Sequence, residues 1–119
     1  MRPLIIKCTT GAEAPERCNQ AFTVAASGIA AGAEVSLWLT GEAAWFAVPG
    51  RAEQFELELA TPLAELRDIV LESGTLTVCS QCAARRGIVE LDLIDGARIA
   101  GAAVFTEQAL ADGAQALVY

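Results

Sequence analysis

The sequence contains no histidine. That absence removes the side chain best suited to acid–base work near neutral pH and the commonest nitrogen ligand for metals, so the usual imidazole chemistry is excluded. Aromatic residues are scarce at 6%, although 54% of the chain is apolar. Alanine supplies much of the apolar count, and its small side chain lets elements pack closely. So apolar a chain is expected to fold. Positive charge is also in short supply, with 8 Lys and Arg against 15 Asp and Glu and a formal net charge of −7. No basic field is present to gather phosphate backbones, which argues against nucleic acid as a partner.

Long hydrophobic runs are missing too. After Met1-Arg2-Pro3, the segment Leu4-Ile5-Ile6 is too short for the core of a signal peptide. The longest apolar tract, near Ala21 to Ala33, is broken by Thr23, Ser27 and two glycines, short of the roughly 20 apolar residues that span a bilayer. The expectation is a cytoplasmic protein without membrane association. Its four cysteines are then expected to be thiols or reactive groups before disulfide staples. A chain of 119 residues falls in the range of roughly 100–200 residues for one domain, so residues 1–119 are read as a single domain.

Pro3 to Cys8 is a short run of branched apolar residues bounded by turn-formers, as a buried parallel strand would be. Pro15 suits the first turn of a helix running to about Ala31, with Cys18, Phe22, Ala25, Ala26 and Ile29 on its core face and Gly32 ending it. Glu34 to Thr40 alternates Val35, Leu37 and Leu39 against Ser36, Trp38 and Thr40, the pattern of a second strand. Gly41 to Ala60 has little regular pattern, apart from Phe55 to Leu59, which has the alternation of a short edge strand. Pro62 opens a helix with a buried stripe of Leu63, Leu66, Ile69 and Val70, closing at Ser73-Gly74. Thr75 to Val78 is a third strand, followed by a short helix ending at Gly87. Ile88 to Gly96 connects to a weak fourth strand at Arg98 to Ala100, then a helix from Ala103 to Asp112 and a last strand from Ala114 to Tyr119. Strands alternating with helices imply an α/β fold: a parallel sheet with helices on both faces and functional groups at the carboxyl ends of its strands.

Cys79 lies where the third strand ends and a helix begins. Backbone N–H groups and the positive end of the helix dipole there favour a thiolate over a thiol, making Cys79 the candidate nucleophile. The structural alternative is a last buried residue of the strand, since free cysteine is among the most buried residue types. Cys82 follows at C-x-x-C spacing, which lets one thiolate resolve a mixed disulfide formed by the other. One such pair without histidine does not make a four-ligand zinc site, although Cys8 could approach if the first and third strands are neighbours; no metal is expected. Cys18 is read as packing. Arg85 and Arg86 suit the carboxyl end of the short helix, where cations offset its dipole. At about 1.5 Å per residue they lie roughly 9–10 Å along the axis from Cys79, too far to activate it within that helix, and contact with an anionic partner group is their functional alternative. Thr9 and Thr10 fall near the same rim, with no P-loop or G-x-G-x-x-G motif to hold a nucleotide.

The run Val78-Cys79 followed by Ala83-Ala84-Arg85-Arg86-Gly87 resembles the cysteine segment of the DsrE/DsrF/DsrH-like family, in which C-x5-R-R-G follows the third strand. The resemblance extends to Asn19-Gln20-Ala21, Gly32-Ala33-Glu34-Val35 and the closing Ala111-Asp112-Gly113-Ala114-Gln115-Ala116-Leu117-Val118-Tyr119. It implies a three-layer α/β/α sandwich with a mainly parallel five-stranded sheet, assembly into oligomers, and no bound cofactor. In the sulfur-relay (TusD-like) branch it further implies persulfide transfer on the residue matched by Cys79, with a protein as sulfur donor or acceptor. Two features depart from the family pattern: Cys82 beside the carrier position, and the Gly41–Ala60 connection with Trp45, Phe46 and acidic residues. A neighbouring thiol can discharge a persulfide by forming a disulfide, so Cys82 is read as a regulator or resolving group. The rival readings are a thiol–disulfide redox protein using Cys79 and Cys82 and a non-catalytic oligomeric binding module.

A mean hydropathy of +0.42 is high for a small monomer, because a domain of this length buries only about two-thirds of the surface its unfolded chain exposes. Trp45 and Phe46, in an irregular segment, are expected to form an exposed patch that a second subunit covers, such that Trp45→Ala or Phe46→Ala weakens assembly before it unfolds the domain. Sedimentation at micromolar concentration is expected to show self-association, and a single species near the 12.4 kDa chain mass would refute it.

Overall fold

Branched apolar strands and alanine-rich helices alternate in the computed structural model, which describes residues 1–119. The strands are β1 (Pro3–Cys8), β2 (Glu34–Leu39), β3 (Thr75–Cys79), β4 (Ala97–Ala100) and β5 (Gln115–Val118). They pair in the order β4-β3-β2-β1-β5, and every neighbouring pair is parallel. The connecting helices are α1 (Pro15–Ala30), α2 (Leu63–Ser73), α3 (Ser80–Arg85) and α4 (Ala102–Ala109). Steps from β1 to β4 all move one way across the sheet, so right-handed crossovers place α1, α2 and α3 on one face. The return from β4 to β5 places α4 alone on the other.

The period of two along each strand divides the side chains between these faces. Ile6, Cys8, Val35, Leu37, Leu39, Leu76 and Val78 join Cys18, Ala21, Phe22 and Ala25 of α1 and Leu63, Leu66 and Val70 of α2 in one buried cluster. The α4 face is more polar. Ser36 Oγ and Trp38 Nε1 both donate to Gln108 Oε1 of α4 at 2.9 Å. The Phe105 ring meets Trp38 edge-on at 5.5 Å between centroids. Trp38 is therefore as buried as the core residues opposite it, because β2 is central and covered on both sides.

Three sequence expectations are corrected. Phe55 to Leu59 is not a strand: two 3-10 helices, Gly41–Ala47 and Ala52–Gln54, occupy the connection, and Leu59 takes a left-handed φ of 61° that breaks an extended run. Phe46 is not on a surface patch. It is only 6% exposed, with its ring edge-on to Phe22 at 6.3 Å and to Phe55 at 5.6 Å, because the alanines around it let the 3-10 turn settle on the core. Trp45 is half-buried, with the Arg51 guanidinium 4.2 Å over its ring. Ile69 is 40% exposed, and the buried stripe of α2 is completed by Arg67. That guanidinium, 3% exposed, pairs with Glu53 and Asp68 at 2.9 and 3.0 Å. It thereby fastens the Gly41–Ala60 connection to α2.

Phe46→Ala is expected to lower stability by about 3 kcal/mol or more, the cost of a large cavity in a packed core. Trp45→Ala, at a half-exposed position, is expected to cost less. Urea unfolding of the two variants checks the order; equal small losses would place Phe46 outside the core.

Candidate functional site

At the carboxyl end of β3 the chain turns directly into α3. Cys79 is both the last strand residue and the N-cap of the helix, with an extended backbone at φ −62°, ψ 129°. The helix is short but firmly closed. Ile88 N–H donates to Ala83 O at 2.9 Å and Gly87 N–H to Ala84 O at 3.2 Å, the paired bonds of a Schellman motif. Gly87 has φ +68°, a conformation that a Cβ disfavours. Ala83 and Ile88, brought together by this cap, are both buried. The glycine and its flanking residues thus fix the orientation of the turn that carries Cys79.

Arg86 takes part in the same bracing. Its Nε donates to Glu42 Oε2 at 2.8 Å and its Nη1 to Cys82 O at 3.1 Å, which ties α3 to the 3-10 turn after β2. Arg85 is exposed and makes no side-chain hydrogen bond or ion pair within the chain. Cys82 is half-buried, and its Sγ accepts the Gly41 N–H at 3.2 Å. Gly41 has φ +55°, and a Cβ there would stand 2.7 Å from Thr9 O. Only glycine lets the loops after β1 and β2 approach closely enough to present that N–H to sulfur. Thr9 is occupied elsewhere, its hydroxyl donating to Tyr119 O at 2.7 Å, while Thr10 Oγ1 is buried without a partner.

Cys79 is partly exposed. Burial is the largest single influence on its thiol and opposes ionisation. The backbone N–H groups of Cys82 and Gln81, a hydrogen bond with the Cys82 thiol and the positive charge of Lys7 together outweigh it, holding the thiol below its ordinary value. Lys7 is the residue that sequence reasoning missed. Its signal lay in strand parity: β1 alternates Ile6 and Cys8 with Lys7, so Lys7 faces away from the core, on the same side of the sheet as Cys79.

The other two cysteines lie elsewhere. Strand β2 stands between β1 and β3, and Cys8 turns into the core on the opposite face, where its thiol donates to Thr10 O at 3.2 Å and lies 3.9 Å from Cys18 O. Cys8 therefore does not approach the Cys79–Cys82 pair. Cys18 is fully buried, and the hydrogen bond with Cys8, together with burial, pushes its thiol well above the ordinary range. No group of three or more Cys, Asp or Glu side chains is placed to hold a metal ion.

Because the Cys79 thiol is held down, its alkylation is expected to be half-maximal below the pH of about 8.5 typical of a free cysteine and to fall as pH drops through the lowered value. Peptide-resolved alkylation rates against pH check this. A midpoint at or above that of free cysteine would remove the activated nucleophile.

The ychN protein from E. coli superposes with a TM-score of 0.81 at 18% sequence identity, covering all of both chains. MTH1491 from Methanobacterium thermoautotrophicum superposes at 0.65 with 8% identity, again over both whole chains. BT1422 from Bacteroides thetaiotaomicron also gives 0.65, with 15% identity over 99% of this chain and 95% of its own. These likenesses establish the three-layer fold. No curated protein matches the sequence. No helix is long and apolar enough to cross a membrane. The sequence profile of the DsrE/DsrF-like family matches residues 3–119, from the first strand to the last residue, and the chain belongs to that family.

Proposed function

We propose that the protein is a sulfur-relay protein in which Cys79 accepts and donates sulfane sulfur. The observation that carries this reading is the partly exposed Cys79 thiol at the start of α3, with first-turn N–H groups and a lysine charge favouring its anion. A thiolate there attacks the outer sulfur of a donor persulfide. The donor's S–S bond breaks, the donor leaves as a thiolate, and Cys79 carries the new persulfide. Attack by an acceptor thiolate on that outer sulfur reverses the process. Neither step needs an external oxidant, a reductant or a bound cofactor.

The donor and acceptor in this reading are proteins of the cytoplasm, and exposed Arg85 is available to meet an anionic group on either. A second copy of the chain is part of the proposal. Strand β5 is an edge, Val118 on its α4 side is 64% exposed, and Leu110 at the end of α4 is exposed as well. The α4 helix has no buried residue of its own. This face, rather than Trp45 and Phe46, is the surface that self-association would cover.

A second reading rests on Cys82, in the first turn of α3, whose thiol is among the groups that hold the Cys79 thiol below its ordinary value. Attack by Cys82 on the inner sulfur of a Cys79 persulfide would form a Cys79–Cys82 disulfide and release hydrosulfide. The same pair could serve thiol–disulfide exchange directly. A binding module without chemistry would do neither.

Mass spectrometry after treatment with a persulfide donor separates these readings. The relay predicts a sulfur adduct on Cys79 that survives Cys8→Ser and Cys18→Ser and is lost in Cys79→Ser. A Cys79–Cys82 disulfide in its place would favour the redox pair. Normal sulfur acceptance by Cys79→Ser, lost in Cys82→Ser, would mean that Cys82 is the carrier.

A further inference from the structure

The α4 face of the sheet carries a cation in an unusual setting. Lys7 lies on β1 between β2 and β5, so its backbone is fixed by neighbours on both sides. Its Nζ stands 4.1 Å from the centroid of the Phe105 ring, a cation–π geometry that limits where the flexible stem can place the charge. Phe105 is itself held. Its ring is perpendicular to Trp38, and Trp38 is anchored through Nε1 to Gln108, one turn further along α4. The register places Lys7 opposite Trp38, and Trp38 opposite Thr77, with Cys79 two residues further along β3 on the same face.

Resting on the sulfur-carrier reading, we propose that Lys7, held against Phe105, is a positioning residue that supplies the counter-charge for the sulfur anion on Cys79. The anion concerned is the resting thiolate and, after sulfur transfer, the persulfide at the same place. The α4 helix then serves the site as well as covering the sheet, because its Phe105 ring holds a charge that favours the Cys79 anion. Among the other charged groups, Arg98 of β4 shares this face of the sheet, with its Nε donating to the neutral Thr77 Oγ1 at 3.1 Å, while Arg86 is paired with Glu42. Arg85 at the far end of α3, Glu107 on α4 and Glu34 at the start of β2 are exposed.

The test follows Cys79 alkylation against pH by peptide-resolved mass spectrometry in the full chain. Lys7→Met, which keeps the stem and removes the charge, is expected to move the midpoint upward and slow alkylation near neutral pH by about three- to fivefold, the scale of one partly screened charge. Lys7→Arg should retain the wild-type profile, and Phe105→Leu should shift it in the same direction as Lys7→Met. A purely structural role would lower the unfolding midpoint and leave the thiol titration where it was. An unchanged profile in folded Lys7→Met would overturn the proposal. If Lys7→Met does not fold, an unchanged profile in Phe105→Leu would do the same. The readout requires no sulfur transfer: a shifted titration without persulfide formation rejects the carrier reading alone, and persulfide formation with an unshifted titration rejects the role of Lys7 alone.

Discussion

Parallel pairing is the constraint on which the rest of this molecule depends. Parallel neighbours cannot be joined by tight hairpins, so each strand must be followed by a crossover, and every crossover leaves from the same rim of the sheet. The loops after β1, β2 and β3 meet there, with Thr9, Gly41 and Cys79 as their respective first residues or turning point. The contact of Gly41 with Cys82 and the clamp of Arg86 on Glu42 and Cys82 follow from that convergence. A thiol at the end of β3 inherits two things from its position. One is the unpaired N–H groups of the following helix; the other is partial exposure at a rim rather than burial in the sheet.

The two faces of the sheet are covered by different means. Three helices cover one face with interlocking aliphatic and alanine side chains, and the buried cluster lies there. The other has a single short helix attached through one glutamine, one aromatic pair and one cation–π contact. Such an attachment is sparse in apolar area and rich in direction. It orients Lys7 and Trp38 while leaving β5 and the outer side of α4 open to water or to another subunit. The site thus draws on both faces of one sheet: α3, on the three-helix face, fixes the turn that carries Cys79, and α4 orients Lys7 on the other.

Much of this arrangement was legible in the sequence because strong local signals agreed with the fold. Pro15, Gly32 and Gly87 punctuate the helices where the structure ends or begins them, and the β-branched run from Thr75 leads into Cys79 as expected. The connection from Gly41 to Ala60 was not legible. Its period-two stretch at Phe55 to Leu59 mimics a strand without a neighbour to pair with, and Phe46 reads as a surface aromatic until α1 supplies Phe22 as its partner. Arg67 was invisible as a buried residue because its burial depends on Glu53, 14 residues earlier. Lys7 needed the strand order as well as parity, since nothing in β1 alone states which strand carries the thiol or where Phe105 will return.

The central claim is that sulfur held on Cys79 is passed onward as sulfane sulfur. A single-turnover discharge tests it most directly: the protein is loaded with isotopically labelled sulfane sulfur, freed of donor, and mixed with an excess of a small acceptor thiol. The account predicts that the label leaves as the acceptor's persulfide while Cys79 returns to the free thiol. Label released as hydrosulfide with a Cys79–Cys82 disulfide left behind, or label retained on the chain, would contradict it.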